Sequence, residues 1–202
     1  MSKKSYSHLF KPIVLGKQFF RNRIFNSPTG VAESPVQDCI NYYERKAVGG
    51  AASVCIGDAC PSLDGMSRPS HINLWDQTNR QVLTDLAYAI NRHGAVASME
   101  ILHSGNCSYY SYSQGYEAYG PVAGETPFGQ EIKEMPEEMI LRIIEDFAKA
   151  ALYAKSCGFG MVTVHGGHGW LISQFFSKSN NRKDKWGGTP ENRARLAVAI
   201  CD

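Results

Sequence analysis

The pattern of apolar and polar positions divides the chain into short apolar runs separated by longer amphipathic stretches. Residues 51–58 form a near-continuous run of small and apolar side chains, which is typical of a strand buried on both faces. Before it, residues 12–20 place a glycine between two apolar runs and predict a small hairpin. Further short runs predict three more strands: residues 23–27, 95–101 and 159–165.

Each predicted strand is followed by a stretch of helical spacing. Ser34 followed by Pro35 predicts the cap and first turn of a helix over residues 36–48, because proline is favoured at the first helical position. Asp76 predicts the cap of the second helix. These signals alternate with the strands and so predict strand–helix repeats.

The second half of the chain repeats the same order. Pro136 opens a third helix, and Thr189 followed by Pro190 opens a fourth that is still running at the last residue. Between the third strand and the third helix, residues 104–128 are rich in tyrosine, serine and glycine and predict a long loop. Four strand–helix repeats favour a parallel sheet with helices outside it.

Polar residues and glycines gather where the predicted strands end. In parallel sheets, both the closed barrel and the open doubly wound kind bind ligands at those carboxyl ends. No G-x-G-x-x-G pattern follows the first strand, which weighs against a dinucleotide-binding domain. These polar and glycine positions are Pro28 to Gly30, Gly57 and Asp58, Glu100 to His103, and His165 to Trp170.

The composition is that of an ordinary globular domain. The chain has 202 residues and a formal net charge of +2, which favours neither nucleic acid nor a membrane surface as partner. It has no apolar run of membrane-spanning length and no hydrophobic signal core at the N-terminus, so we predict a cytoplasmic protein. Its six cysteines form no C-x-x-C pair and are expected to be reduced.

Several motifs carry a family resemblance: "LFKPIVLGKQFFRNRI", "MEILHSGN", "VHGGHGWLISQFFS" and "NNRKDKWGGTPENRARL". With them the chain resembles the Old Yellow Enzyme family of FMN-dependent oxidoreductases, and most closely its branch of enoate and 2,4-dienoyl-CoA reductases. The resemblance implies an α/β fold, a TIM (β/α)8 barrel. Residues 1–202 would supply about the first four βα units, as the N-terminal part of an FMN-binding barrel.

The resemblance also assigns roles to the strand ends. It places backbone contacts to the flavin at Pro28, Thr29, Gly30, Gly57 and Asp58. Glu100 stands where many members have a glutamine that bonds the flavin pyrimidine. A carboxylate accepts the flavin N3–H but cannot donate unless protonated, and it would repel an anionic reduced flavin.

In the same family pattern, His165 and His168 hold a substrate oxygen, since an imidazole N–H stabilises developing enolate charge. Trp170 departs from the family, where a tyrosine often protonates the substrate; an indole N–H is no useful acid near neutral pH. The proton would then come from water or from a loop tyrosine: Tyr109, Tyr110 or Tyr112. Otherwise the reaction is not alkene reduction.

Blander interpretations stay open for these residues. His165 and His168 could be buried structural histidines, whereas their spacing and the lack of a third ligand disfavour a metal site. Trp170 could only pack against the rim, and Glu100 could pair with a basic residue. None of the predicted site residues is a metal ligand.

Two functional hypotheses follow from the sequence. In the first, the parent protein is an oxidoreductase that passes hydride from NADH or NADPH through FMN to an activated C=C bond of an unsaturated carbonyl substrate. The phosphate-binding loops, and any 4Fe-4S cluster or FAD domain, would lie beyond Asp202. In the second, the chain is a truncated, non-catalytic half-barrel that no longer binds FMN productively. The sequence names neither the small-molecule substrate nor the reductant, and it leaves a homo-oligomer open.

Overall fold

The computed structural model describes residues 6–31 and 34–202. The strands in chain order are β1 (Ile13–Leu15), β2 (Gln18–Phe20), β3 (Phe25–Gly30), β4 (Ser53–Cys60), β5 (Ile72–Asn73), β6 (Val96–Ile101), β7 (Ala118–Gly120), β8 (Gly124–Glu125), β9 (Glu131–Glu134) and β10 (Met161–Val164). The α-helices are α1 (Val36–Val48), α2 (Arg80–Asn91), α3 (Tyr109–Ser113), α4 (Glu137–Ser156), α5 (Leu171–Phe176) and α6 (Pro190–Cys201). Among the described residues, four strands are each followed later in the chain by a longer helix, in the order β3–α1, β4–α2, β6–α4 and β10–α6.

The central sheet has the strand order β10-β6-β4-β3, with β5 added beside β4. β3 and β4 are parallel, and Gly30 lies opposite Gly57 in their register. Every residue of β4 and β6 is buried, as a strand with apolar residues on both faces requires. The predicted α/β fold with parallel pairing is thus present.

The chain divides into two compact units. The first unit comprises Met1–Asp58, Gln77–Glu100 and Tyr153–Thr163. The second comprises Ala59–Asp76, Ile101–Leu152 and Val164–Asp202. The predicted cofactor-binding residues all belong to the first unit, and the two predicted histidines belong to the second.

In the first unit, the N-terminal hairpin covers the beginnings of the buried strands. β1 and β2 pair antiparallel, which confirms the predicted hairpin. Phe20 of β2 is 1% exposed and packs with Ala52 and Val96, which lie at the starts of β4 and β6. The guanidinium of Arg21 donates hydrogen bonds of 2.7 Å to the carbonyl oxygens of His93 and Ala47. These contacts fix the end of the sheet away from the candidate site.

Several predicted boundaries were wrong. The first strand of the repeat was predicted at residues 23–27 but occupies Phe25–Gly30. Ser34 does not cap α1, because Pro35 with its extended backbone is the cap residue and no side chain bonds there. Asp76 does not cap α2 either: it accepts a hydrogen bond from Asn73 in a local turn, and the helix begins only at Arg80.

The predicted loop at residues 104–128 is largely structured in the second unit. It contains a 3-10 turn at Gly105–Cys107, the short helix α3 and the strands β7 and β8, which form a small sheet with β9 in the order β7-β9-β8. The guanidinium of Arg182 donates to the carbonyl oxygens of Pro121 at 2.9 Å and Met135 at 2.7 Å. The side chain of Arg182 is 4% exposed. This buried cation holds together the segment between β6 and α4, which we call the excursion.

The helix of the fourth repeat begins where Thr189 and Pro190 predicted. Thr189 caps α6 by accepting a hydrogen bond of 3.3 Å from the amide of Asn192, and Pro190 is the first helical residue.

In the part of the chain that the structure describes, no helix combines the length and hydropathy needed to cross a membrane. Within residues 6–31 and 34–202, no cluster of three histidine, cysteine or acidic side chains is arranged to hold a metal ion.

Candidate active site

The ends of three strands in the first unit bring several predicted cofactor-binding residues together. A methyl group added at Gly57 would lie 3.0 Å from the Cβ atom of Pro28. The same methyl group would lie 3.1 Å from a carboxylate oxygen of Glu100 and 3.4 Å from the amide nitrogen of Thr29. Without a side chain at Gly57, the ends of β3, β4 and β6 therefore approach one another more closely than a side chain would allow. We call these four residues the strand-end cradle.

A tyrosine from α1 supports the cradle. The hydroxyl of Tyr43 donates to the carbonyl oxygens of Thr29 and, at 3.4 Å, of Gly57. Burial raises the pKa of Tyr43 well above its usual value, so this hydroxyl stays protonated and keeps its role as donor. Tyr43 was not among the predicted site residues, since a tyrosine at helical spacing gives no signal of such a bond.

The carboxylates of the strand ends are buried, whereas the neighbouring backbone of β3 is open. Asp58 is 5% exposed and Glu100 is 9% exposed. Thr29 and Gly30 are exposed, and Pro28 is half-buried. The predicted residues thus combine an accessible stretch of backbone with two buried acceptor groups.

In the second unit, the residues after β10 bring the two predicted histidines into direct contact. The Nδ1 atom of His168 lies 3.1 Å from the Nε2 atom of His165, and the two rings stack with centroids 5.0 Å apart. His168 has a φ of 56°, an uncommon backbone conformation for a residue other than glycine. This turn folds the chain back so that the second imidazole meets the first.

The shared hydrogen bond limits what the pair offers to a ligand. A neutral imidazole carries one N–H and one bare nitrogen. If both rings are neutral and one N–H is shared between His165 and His168, only one of the two remaining ring nitrogens carries a proton. A second N–H appears when the pair takes up a proton. The pair therefore suits an acceptor oxygen, and it suits an anionic one better once it is protonated.

Trp170 contacts the pair and also packs against the core of the second unit. Its ring centroid lies 4.8 Å from that of His165 and 6.1 Å from that of His71. Trp170 and Tyr110 both pack against a buried cluster of three residues: Cys60, Met66 and Leu102. Trp170 thus packs against a buried cluster and also lies beside the histidines. His71 was missed by the sequence analysis, because it lies about a hundred positions earlier.

The three tyrosines named as proton donors have different surroundings. Tyr110 packs against the same buried cluster as Trp170. The ring of Tyr109 lies 5.7 Å from that of Phe128, edge to face, and the Tyr112 ring is 47% exposed. Tyr110 is therefore the tyrosine of the three that shares a packing cluster with the indole.

Asp64, His103 and Arg142 form a charged network in the second unit. Asp64 pairs with the guanidinium of Arg142, and its Oδ1 atom lies 3.8 Å from the Nε2 atom of His103. His103 is 4% exposed, and its Nδ1 accepts the amide of Gly105 at 3.0 Å. Burial alone would raise the pKa of Asp64, but His103 and Arg142 outweigh it and hold that pKa well below the usual range.

This network predicts how stability depends on pH. Because the pKa of folded Asp64 lies below its unfolded value of about 3.9, its contribution is complete above that pH and is lost as the pH falls further. We expect Asp64→Asn to lower the free energy of unfolding by about 2 kcal/mol at pH 7. The gap between the two proteins should narrow below about pH 4 in urea titrations.

A matched control separates this effect from general acid sensitivity. Asp85 is exposed on α2 and bonds only the side chain of Gln81 at 2.9 Å among the contacts described. Asp85→Asn should change the free energy of unfolding by less than about 0.5 kcal/mol at either pH. A gap for Asp64→Asn that is equally large at pH 7 and at pH 3.5 would contradict the assignment.

Comparison with known proteins identifies the class. Residues 8–202 match the model of the NADH:flavin oxidoreductase / NADH oxidase family, and the chain belongs to that family. A curated NADPH dehydrogenase of Halalkalibacterium halodurans is 31% identical over 203 residues, which are 95% of this chain and 58% of the relative. An NADH:acrylate oxidoreductase of Vibrio harveyi is 33% identical over 187 residues, which are 89% of this chain and 18% of the relative.

Solved structures agree with the family. A 2-naphthoyl-CoA reductase in complex with 2-naphthoyl-CoA superimposes with a TM-score of 0.86 at 29% identity, covering 97% of this chain and 33% of that one. An Old Yellow Enzyme from a Pichia species gives a TM-score of 0.87 at 25% identity, covering 96% and 55%. The predicted family is thereby confirmed. The chain spans 58% of the length of the NADPH dehydrogenases that it matches.

The strand-end cradle fits the edge of an FMN ring system. The edge of a flat ring needs exposed backbone groups within reach, and Thr29 and Gly30 are exposed at the end of β3. The flavin pyrimidine presents one N–H and several acceptor atoms, and a carboxylate such as Glu100 can accept that N–H. The described residues are thus of a chemical kind that the edge of a flavin ring could contact.

Proposed function

We propose that this chain is the N-terminal part, about four βα units, of a TIM barrel whose whole protein is an FMN-dependent oxidoreductase. It would move hydride from NADH or NADPH to an activated C=C bond of an unsaturated carbonyl substrate. The observation that carries this proposal is the hydrogen-bonded pair of His165 and His168 after β10, in a chain of the NADH:flavin oxidoreductase family. The relatives named NADPH dehydrogenase and NADH:acrylate oxidoreductase support the reductant and the type of substrate.

The residues of the first unit would hold the cofactor. When bound, FMN would supply the hydride chemistry, taking hydride from the nicotinamide and giving it to a substrate carbon. The backbone of Pro28, Thr29 and Gly30 would line the ring edge together with Gly57 and Asp58. Glu100 would accept the flavin N3–H. As a carboxylate, Glu100 would also disfavour extra negative charge on the ring, which a glutamine at this position would not do.

The residues of the second unit would bind and polarise the substrate. An imidazole N–H of His165 or His168 would donate to the carbonyl oxygen, and this bond strengthens as that oxygen gains enolate charge. Trp170 would offer a flat apolar face beside the histidines but no acidic proton. We propose that the proton added to the alpha carbon comes from water or from Tyr110, which packs beside the same cluster as the indole.

Flavin binding by the whole protein tests this function. The full-length protein purified with added FMN should be yellow and retain flavin on dialysis, and NADH or NADPH should bleach it. Gly57→Ala should weaken FMN binding roughly tenfold, because its methyl group would displace Pro28 and Glu100 and distort the strand-end cradle. Gly124→Ala is the matched control, since a methyl group there meets no atom within 4 Å.

The second hypothesis, a half-barrel without catalytic function, predicts the opposite outcome. A colourless full-length protein that does not bind added FMN, although it is folded and compact, would overturn the proposed function. Equal FMN affinity in Gly57→Ala and in the parent would mean that the protein binds flavin, but not at the strand-end cradle. Sedimentation with and without FMN would then show whether the protein is an oligomer that ignores the cofactor.

A further inference from the structure

The side-chain amide of Gln174 contacts three backbone groups of the second unit. Its Nε2 atom donates to the carbonyl oxygen of Gly169 at 2.7 Å and to that of Ser104 at 3.0 Å. Its Oε1 atom accepts the amide N–H of Asn106 at 3.1 Å. Both protons of the amide nitrogen and one lone pair of the oxygen are thus used in a single junction.

This junction joins the turn that carries His168 to the segment that follows β6. Gly169 lies between His168 and Trp170, whereas Ser104 and Asn106 belong to the segment that follows β6. Gly105 has a φ of 60°, and any side chain there would collide with the Gln174 amide. The close approach of Gln174 therefore depends on a glycine, as is expected of a specific contact rather than of incidental packing.

The turn that Gln174 holds is conformationally costly. His168 and Gly169 have φ values of 56° and 72°, so two consecutive residues lie in the left-handed region. A residue other than glycine rarely adopts this conformation, which persists only where the surroundings fix it. Within the turn, Trp170 donates to the carbonyl oxygen of Gly167 at 3.2 Å, which is a long hydrogen bond. The shorter bond from Gln174 to Gly169 is the stronger restraint on the turn.

We infer that Gln174 is a positioning residue that fixes the turn at His168 and Gly169 and thereby keeps the His168 ring bonded to His165. Gln174 does not touch the reacting atoms. It acts through the imidazole pair, which determines how many ring N–H groups face an acceptor oxygen. The placement of the ring follows from the geometry alone, while its consequence for substrate binding rests on the function proposed above.

Two variants of Gln174 separate positioning from general stability. Gln174→Met keeps the length of the side chain and removes all three hydrogen bonds. Gln174→Glu keeps an acceptor for the Asn106 amide but places a carboxylate oxygen against the carbonyl oxygen of Gly169, so it loses the donors. Gln81→Met is the matched control, because Gln81 is exposed on α2 and its side chain bonds Asp85. If Gln174→Met fails to fold, Gln174→Glu carries the test.

The first measurement is made on the histidine rings themselves. The full-length protein is labelled with ¹⁵N in its histidines, of which this chain holds six, and variants at positions 165 and 168 assign the two ring signals. The parent should show a ring N–H shared between the two rings, and Gln81→Met should show the same signals. The Gln174 variants should lose that signature while their circular dichroism stays unchanged. An unaltered pair of ring signals in both Gln174 variants would overturn the inference.

The second measurement follows a ligand of the pair in the flavin-loaded protein. A para-substituted phenol presents an oxygen to the imidazole N–H groups, and its binding is read from the flavin absorbance. The Kd should rise roughly tenfold in the Gln174 variants, with flavin content unchanged, and stay within twofold in Gln81→Met. A parent protein that binds no flavin or phenol would sink the proposed function, and the ring signals would still decide the role of Gln174. Equal Kd values for the phenol in the parent and in the Gln174 variants would overturn the positioning role of Gln174.

Discussion

Replacement of His165 with alanine is expected to lower kcat/KM for an unsaturated carbonyl substrate about 100- to 1,000-fold. The Nε2 atom of His165 lies 3.1 Å from His168, so the change removes one ring and also releases the other from its shared hydrogen bond. Because the bond to the substrate oxygen strengthens as enolate charge develops, the loss should fall on kcat more than on KM. Steady-state rates in the full-length protein with NADH and with NADPH measure it.

The control for this prediction is a histidine of the first unit. His93 lies 2.7 Å from the carboxylate of Glu44 and contributes to a surface ion pair. His93→Ala should change kcat/KM less than twofold and the free energy of unfolding by less than about 1 kcal/mol. Flavin reduction by the nicotinamide should be near parental in His165→Ala. Parental rates of alkene reduction in His165→Ala would show that the pair does not polarise the substrate.

The helices with local start and stop signals were predicted best from sequence. α1 occupies the predicted residues 36–48, since Pro35 can only begin a helix and a glycine pair follows its end. α6 begins at Pro190 for the same reason. Asp76 misled the prediction because its side chain has an equally local alternative. It accepts from Asn73 in a turn, and such turns compete with helix caps for the same residue types.

The small sheet of β7, β8 and β9 was invisible in the pattern. β7 and β9 are parallel and pair Ala118 with Ile132, so their register depends on contacts distant in sequence rather than on alternation within either strand. The segments are two to four residues long and rich in glycine and charge. A short polar strand of this kind has no periodicity that distinguishes it from a loop.

The site residues divide in the same way. His165, His168 and Trp170 lie in one continuous motif, and the structure brings these three rings together. Gln174 was not predicted, because its partners are backbone groups, two of them about seventy positions away, and backbone groups leave no trace in the sequence. The three aromatic residues could be picked out from the motif, whereas the residue that holds the motif in shape could be found only from the structure.

Arg182 is the position where we expect the largest loss of stability. Its side chain is 4% exposed and donates to two backbone carbonyl oxygens, of Pro121 and Met135, and to the carboxylate of Asp184 at 3.1 Å. The bond from Arg182 lowers the pKa of Asp184, as a close cation does. Arg182→Met leaves both carbonyls without their donor in a buried place. We expect the free energy of unfolding to fall by about 3 to 4 kcal/mol in urea titrations.

Two comparisons make this prediction specific. Arg195→Met removes an exposed guanidinium that donates to the carbonyl oxygen of Lys185 at 2.8 Å, and it should cost less than about 1 kcal/mol. Arg182→Lys keeps the charge but lacks the planar fork that reaches two carbonyls and a carboxylate at once, so it should fall between the two. A loss for Arg182→Met no larger than for Arg195→Met would mean that the excursion between β6 and α4 is held by its own small sheet. In that case the buried Arg182 would not be the residue that stabilises the segment between β6 and α4.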